Sequence, residues 1–159
     1  MAILEHYNIR TTDLNATIRF YEDIIGLKVG PYPGKEGMGC WIYDERDIPV
    51  VHVMNLAEGR DEMAMSFTQA RLDKISPGTR IDAHGSGAVD HVAFRCEDYD
   101  GFVERLEANK LQYHAVSFPG FHLQQIFVND PSGVTCELNF LKTGFEEGQM
   151  GTVDLAAAK

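Results

Sequence analysis

At 159 residues the chain has the length of one domain, and a hydrophobic content of 44% is enough for a core. A formal charge of −10 argues against nucleic acid and anionic membrane surfaces as partners, since both select for basic patches. No apolar run approaches the ~20 residues that span a bilayer and no basic-then-apolar leader opens the sequence, so the expected location is the cytoplasm.

Residues 3–10 alternate, with Leu4, His6, Asn8 and Arg10 on one face and Ile3, Tyr7 and Ile9 towards a core. Asp13 is placed to N-cap a helix running to about Ile25, whose apolar stripe is Leu14, Ile18, Tyr21 and Ile25. Gly26 closes it. Residues 27–33 and 38–44 read as strands around a Pro/Gly loop, and Pro49 to Leu56 as a strand with Val50, His52 and Met54 on one face. The first unit is a strand, a helix and three strands. Residues 57–87 exceed an ordinary connection; Glu62 to Lys74 could form a short helix, and the segment is either a cover over a pocket mouth or a linker.

Ala88 to Arg95 starts a second unit, with His91, Ala93 and Arg95 on one face. Asp98 caps a helix whose buried stripe is Tyr99, Phe102, Val103 and Leu106. Strands follow near Gln112–Ser117, Leu123–Asn129 and Thr135–Phe140. The last two are joined by Asn129-Asp130-Pro131-Ser132-Gly133, a run of turn residues. In the final strand Thr135, Glu137 and Asn139 share one face, and Cys136, Leu138 and Phe140 the other. A carboxylate in mid-strand is costly to bury unless something cationic receives it. The tail from Leu141 packs on a partner subunit or frays. Cys40, Cys96 and Cys136 are odd in number and scattered; no disulfide framework is expected, and Cys40 and Cys136 read as small buried hydrophobes.

The two units are copies of each other. A shift of 85 positions lays His6 on His91, His52 on Glu137, Arg10 on Arg95 and Asp13 on Asp98. The turn Asp44–Asp47 falls on Asn129–Ser132, with no gap between the anchors. All four anchors are expected on strands, on the face opposite the main apolar run. If the units pair about a pseudo-twofold, imidazoles and a carboxylate converge into a nitrogen/oxygen site for Fe, Mn, Co, Ni or Zn. Open coordination positions would let such a metal act as a Lewis acid or hold substrate and dioxygen.

The stretch HYNIRTTDLNATIRFYEDIIGLKVG (His6 to Gly30) resembles the first strand and helix of the vicinal oxygen chelate superfamily. FVNDPSGVTCEL (Phe127 to Leu138) resembles its closing hairpin, where a metal-binding Glu follows a D-P-x-G turn. The resemblance covers residues 3–141 and names the glyoxalase/bleomycin resistance/dioxygenase family. It implies an α+β domain over 1–159 of two βαβββ modules forming a cupped mixed sheet. Module 1 is then 3–56, a linker 57–87, module 2 88–141 and a tail 142–159. It also implies metal ligands at His6, His91 and Glu137. His52 stands where glyoxalase I carries a glutamate ligand and base, so it is either a fourth ligand or an acid/base.

The resemblance implies a small-molecule substrate chelated through two oxygens and a homodimer, with the metal site within one chain or shared. It does not select the reaction. Glyoxalase-type lyase or isomerase chemistry is the first reading, with His52 or His122 moving the proton. An extradiol-type Fe(II) dioxygenase is the second, although Phe127 stands where that signature has Tyr and the spacing from His122 is short. A non-catalytic drug- or metabolite-binding resistance protein is the third. Arg10 and Arg95 are either carboxylate binders or partners of Asp13 and Asp98. Trp41, Phe118 and Phe121 are either pocket wall or core.

Overall fold

A computed structural model describes residues 4–34, 36–57, 69–71, 73–75, 77–78, 82–118 and 122–141. The strands are β1 (Tyr7–Thr11), β2 (Lys28–Gly30), β3 (Gly39–Tyr43), β4 (Pro49–Asn55), β5 (Val92–Cys96), β6 (Tyr113–Phe118), β7 (Leu123–Asn129) and β8 (Thr135–Leu141). They form two four-stranded sheets of one topology, β1-β4-β3-β2 and β5-β8-β7-β6. In each, the first and last strands pair in parallel and the remaining pairs given are antiparallel. This is the expected α+β architecture of two βαβββ modules. The 85-residue shift maps β1 onto β5 residue for residue, and the helix cap Asp13 onto the cap Asp98.

The chain divides into two compact units, one up to His91 together with Asn129–Thr135, the other Val92–Val128 with the residues from Cys136. In the first, the Asp13 side chain accepts from the Ala16 N–H at 2.9 Å and starts α1 (Leu14–Arg19). Thr17, fully buried, donates its hydroxyl to Thr11 Oγ1 at 2.9 Å, tying helix to strand. From Phe20 to Ile25 the helix widens into π geometry before Gly26 ends it at φ 86°. That widening corrects the expected stripe. A wider turn advances each residue through a smaller angle, so Phe20, Tyr21, Ile24 and Ile25 all reach the core while Leu14 and Ile18 stay half-buried. Ile9, Ile42, Val51 and Val53 are buried residues of the sheet in this unit.

Tyr21, with no solvent exposure, carries a polar atom into this layer. Its hydroxyl donates to Asp130 Oδ2 at 3.0 Å and stands 3.3 Å from the Tyr7 hydroxyl, which donates to it. Asp130 organises its turn: Oδ1 accepts from the N–H groups of Ser132 (2.9 Å) and Val134 (2.8 Å). Gly133, at φ 80°, supplies the left-handed residue that the turn requires.

In the second unit the Asp98 side chain accepts from the Gly101 N–H and caps α2 (Tyr99–Ala108), which buries Phe102 and Leu106. Phe140 receives Tyr99 and Phe102 edge-on, with ring centroids 5.2 Å apart in both pairs. β8, hydrogen-bonded between β5 and β7, is buried on both faces from Cys136 to Phe140. Cys40 and Cys136 are buried and unbridged, as their strand positions led us to expect. Most of the helix expected over 62–74 and the whole tail lie outside the described residues; 69–71 and 73–75 are helical. No helix among the described residues is long and apolar enough to cross a membrane.

Candidate functional site

His52 and Glu137 lie on strands as expected, but His6 and His91 do not. Each immediately precedes its strand, β1 or β5, so strand pairing does not fix its backbone. Within the first unit the β1–β4 register sets Asn8 beside His52, and the β3–β4 register sets Trp41 on its other side. The indole stacks on the His52 ring at 4.5 Å and 19°. His6 packs edge-on against the same indole at 4.7 Å, and the two imidazole centroids are 6.3 Å apart. Tyr32 closes a further side, 6.0 Å from His52. The structure thus brings His6 and His52 together around a shared aromatic wall.

Burial holds His52 below the ordinary histidine pKa, and the neighbouring His6 adds to the effect. His52 is therefore a neutral imidazole at neutral pH, the form that ligates metal or exchanges protons. Its Nδ1 lies 2.6 Å from Asn8 Nδ2. With that amide donating, the ring proton sits on Nε2. With the amide turned over, its oxygen accepts from Nδ1–H, and Nε2 carries the lone pair. Asn8 therefore selects between a proton-donating His52 and one able to ligate. His6 Nδ1 faces Glu5 at 3.7 Å, and His91 Nδ1 faces the Asp90 carboxylate at 2.9 Å. A side-chain partner on Nδ1 is the arrangement that orients ligating histidines through their other nitrogen.

Glu137, 9% exposed, belongs to the second unit. Its Oε1 accepts from Gln125 Nε2 at 2.9 Å and from Asn139 Nδ2 at 2.7 Å. Gln125 also donates to Asn139 Oδ1 at 2.8 Å, so the amides form a closed triangle with the carboxylate. Two amide donors on one oxygen fix the orientation of the carboxyl group. Among the described residues, no group of three or more His, Cys, Asp or Glu side chains is gathered closely enough to hold a metal ion. His122 is exposed and left-handed at φ 51°, a turn residue ahead of β7 rather than the opening of that strand. Arg10 does not pair with Asp13; its Nη1 donates to the Asp82 carbonyl at 2.8 Å.

Sequence reasoning missed Asn8, Tyr32 and Gln125. Asn8 was legible, since it lies two residues from His6 on the same face. Tyr32 and Gln125 come from a loop and a hairpin whose register the sequence does not state.

The sequence profile described as the Glyoxalase/Bleomycin resistance protein/Dioxygenase superfamily matches residues 3–138. No curated protein matches the chain in sequence. Among solved structures it is similar to a lactoylglutathione lyase from Agrobacterium tumefaciens, at 23% identity and a TM-score of 0.56 over 91% of this chain and 97% of that one. A fosfomycin resistance protein from Listeria monocytogenes aligns at 14% identity and 0.57, covering 90% and 96%. An antibiotic binding protein from a Streptomyces species aligns at 14% and 0.57, covering 89% and 98%. At these identities the likeness is one of fold.

Proposed function

The chain belongs to the glyoxalase/bleomycin resistance protein/dioxygenase superfamily, and on that premise we propose a divalent-metal-dependent enzyme acting on a small oxygenated organic molecule by lyase or isomerase chemistry. The observation that carries the reading is the His6–His52 pair held on one aromatic wall, with Asn8 on His52 Nδ1. The donor chemistry fits a first-row divalent ion: imidazoles at His6 and His91, and the amide-braced carboxylate of Glu137. The chain contributes these from both modules, and a homodimer in the cytoplasm is the setting we propose.

When bound, the metal would stabilise the oxyanion that forms as an adjacent C–H loses its proton. The protein's own part is to place a proton carrier beside that carbon. His52 is suited to it, because burial keeps the ring neutral and the Asn8 amide decides which ring nitrogen holds the proton. Trp41 holds the ring in plane, and Tyr32 narrows access to it. His122 is the alternative carrier, and the same amide flip would make His52 a fourth ligand. A dioxygenase would use the same three ligands.

Elemental analysis of protein purified without chelator tests the proposal, with His6→Ala, His91→Ala, Glu137→Ala and His52→Ala in parallel. The expected result is a stoichiometric metal lost in the first three and kept in His52→Ala. Unchanged metal in His91→Ala and Glu137→Ala would sink the ligand set. Iron with oxygen-dependent turnover would move the reaction to ring cleavage. The antibiotic binding protein of the same fold favours one other reading, a sequestering protein; tight ligand binding by metal-free protein without turnover would establish it.

A further inference from the structure

The two modules carry different side chains at the matched position of their last strands, His52 on β4 and Glu137 on β8, 85 residues apart. Their neighbours differ as the two groups require. Beside His52, β1 places the Asn8 amide 2.6 Å from Nδ1, and β3 lays Trp41 flat on the ring. The counterpart of Asn8 in the second module is Ala93, which β5 sets beside Glu137 and which has no polar side-chain atom. Amides reach Glu137 from other strands instead. Gln125 comes from β7, and Asn139, which stands where the first module has Met54, comes from β8 itself.

Gln125 is the hub of this group. One hydrogen of its Nε2 goes to Glu137 Oε1 at 2.9 Å and the other to Asn139 Oδ1 at 2.8 Å, which uses both hydrogens of that nitrogen. Asn139 Nδ2 donates to the same Oε1 at 2.7 Å. Every contact pairs an N–H with an oxygen. Turning the Gln125 amide over would set its oxygen against both Asn139 Oδ1 and Glu137 Oε1. Turning the Asn139 amide over would set its oxygen against Oε1 and its nitrogen against Gln125 Nε2. Each amide therefore fixes the orientation of the other. Together they pin the last torsion of Glu137, which in a glutamate is otherwise broad. Glu137 and Asn139 are buried, so water competes little for these bonds.

A carboxyl group that rotates freely must be frozen when it takes a cation, whereas one already pinned spares that entropy. We propose that Gln125 is a positioning residue for the metal, holding the Glu137 carboxyl group, directly and through Asn139, in the orientation that a divalent cation meets. The inference rests on Glu137 being a ligand, as read above. It also accounts for the difference between the modules: a flat ring and one amide fix an imidazole, and two donors on one oxygen fix a carboxyl group.

Titration of metal-stripped, full-length protein with Co²⁺ tests it. Affinity is read by competition with a chelating dye, and coordination from the visible absorption of the bound ion. Gln125→Met, Asn139→Ala and Glu137→Ala are titrated beside the parent, and each is also melted without metal. Methionine keeps the length of glutamine and loses both donors. Gln125→Met should bind Co²⁺ about 10–100-fold more weakly and with an altered spectrum, the usual effect of removing a partner that orients a ligand. Asn139→Ala should weaken binding in the same direction, and it carries the test if Gln125→Met does not fold. Glu137→Ala should lose the ion. A triangle that serves only the fold would lower the metal-free melting temperature and leave Co²⁺ affinity and spectrum at the parent values. That result in both amide variants, with the ion still lost in Glu137→Ala, would overturn the inference alone. Co²⁺ held as tightly by Glu137→Ala as by the parent would overturn the ligand assignment, and the inference with it.

Discussion

Replacing Tyr21 with Phe removes one atom from a side chain with no solvent exposure, and the structure fixes what that atom does. The hydroxyl donates to Asp130 Oδ2 at 3.0 Å. A hydrogen bond to a charged acceptor is worth about 1.5–3 kcal/mol. For a chain of this length each kcal/mol lowers the melting temperature by about 2–4 °C, so Tyr21→Phe should melt roughly 3–12 °C below the parent. The pH dependence is the sharper test. Burial raises the Asp130 pKa above 3.8, and the bonds from Val134, Tyr21 and Ser132 oppose that rise. A raised folded-state pKa means that Asp130 supports the fold fully below 3.8 and that this support is lost as pH climbs through the folded value. The Tyr21 hydroxyl limits the loss by favouring the carboxylate. The gap between variant and parent should therefore be widest at neutral pH and should narrow as Asp130 becomes protonated. Urea melts at neutral pH and near the acid end of the folding range read it directly. A gap that stays constant between the two, or a loss within the ~0.5 kcal/mol scatter of surface changes, would refute the bond as the source of the stability.

Two glycines separate backbone conformation from space. Gly26→Ala keeps φ 86° with nothing within 4 Å of the new Cβ, so it should cost about 1–2 kcal/mol in a denaturant melt. Gly39→Ala would set its Cβ 2.1 Å from the Val53 carbonyl oxygen, a fixed atom of the β3–β4 ladder. It should cost more than Gly26→Ala, and the reverse order would contradict the described register. Leu106→Ala, at a fully buried position in α2, should lose about 2–5 kcal/mol, and a loss below about 1 kcal/mol would mean that the helix does not pack there. Burial raises the thiols of Cys40 and Cys96 to about 11, and Cys136 is wholly enclosed. An Ellman titration of native protein at pH 8 should show no rapid thiol and all three after denaturation; one fast thiol in the native state would place a cysteine at the surface.

The fold was legible because one pattern occurs twice. Asp13 and Asp98 cap helices at matched places, and β1 and β5 keep the 85-residue offset without slippage. Burial of Phe102 and Leu106 followed from helical period alone. The π segment at Phe20–Ile25 was not legible, because i, i+5 pairing leaves no distinct hydrophobic period in so short a run. At the candidate site, residue type drew notice to His6, His52, His91 and Glu137, but tertiary neighbours decide what each can do. Trp41 read equally as wall or core until the β3–β4 register laid it against His52. Arg10 was expected to bind a carboxylate or to pair with Asp13; it does not pair with Asp13, and its Nη1 reaches a carbonyl 72 positions away. Ser132 reads as one more turn residue, and its hydroxyl is buried with no partner among the described residues.

The Tyr21–Asp130 contact also bears on how the chain is made. The parallel pairs β1–β4 and β5–β8 each join residues 44 positions apart, a closure costing about 3 kcal/mol of chain entropy. On a ribosome the β2–β3 hairpin can form early, whereas β1 waits for β4 to emerge. Even then the layer that buries Tyr21 lacks its acceptor, because Asp130 is translated 109 residues later. The first module to leave the tunnel is thus among the last to reach full stability, and a stalled nascent chain ending before residue 130 should unfold at lower force than the finished protein.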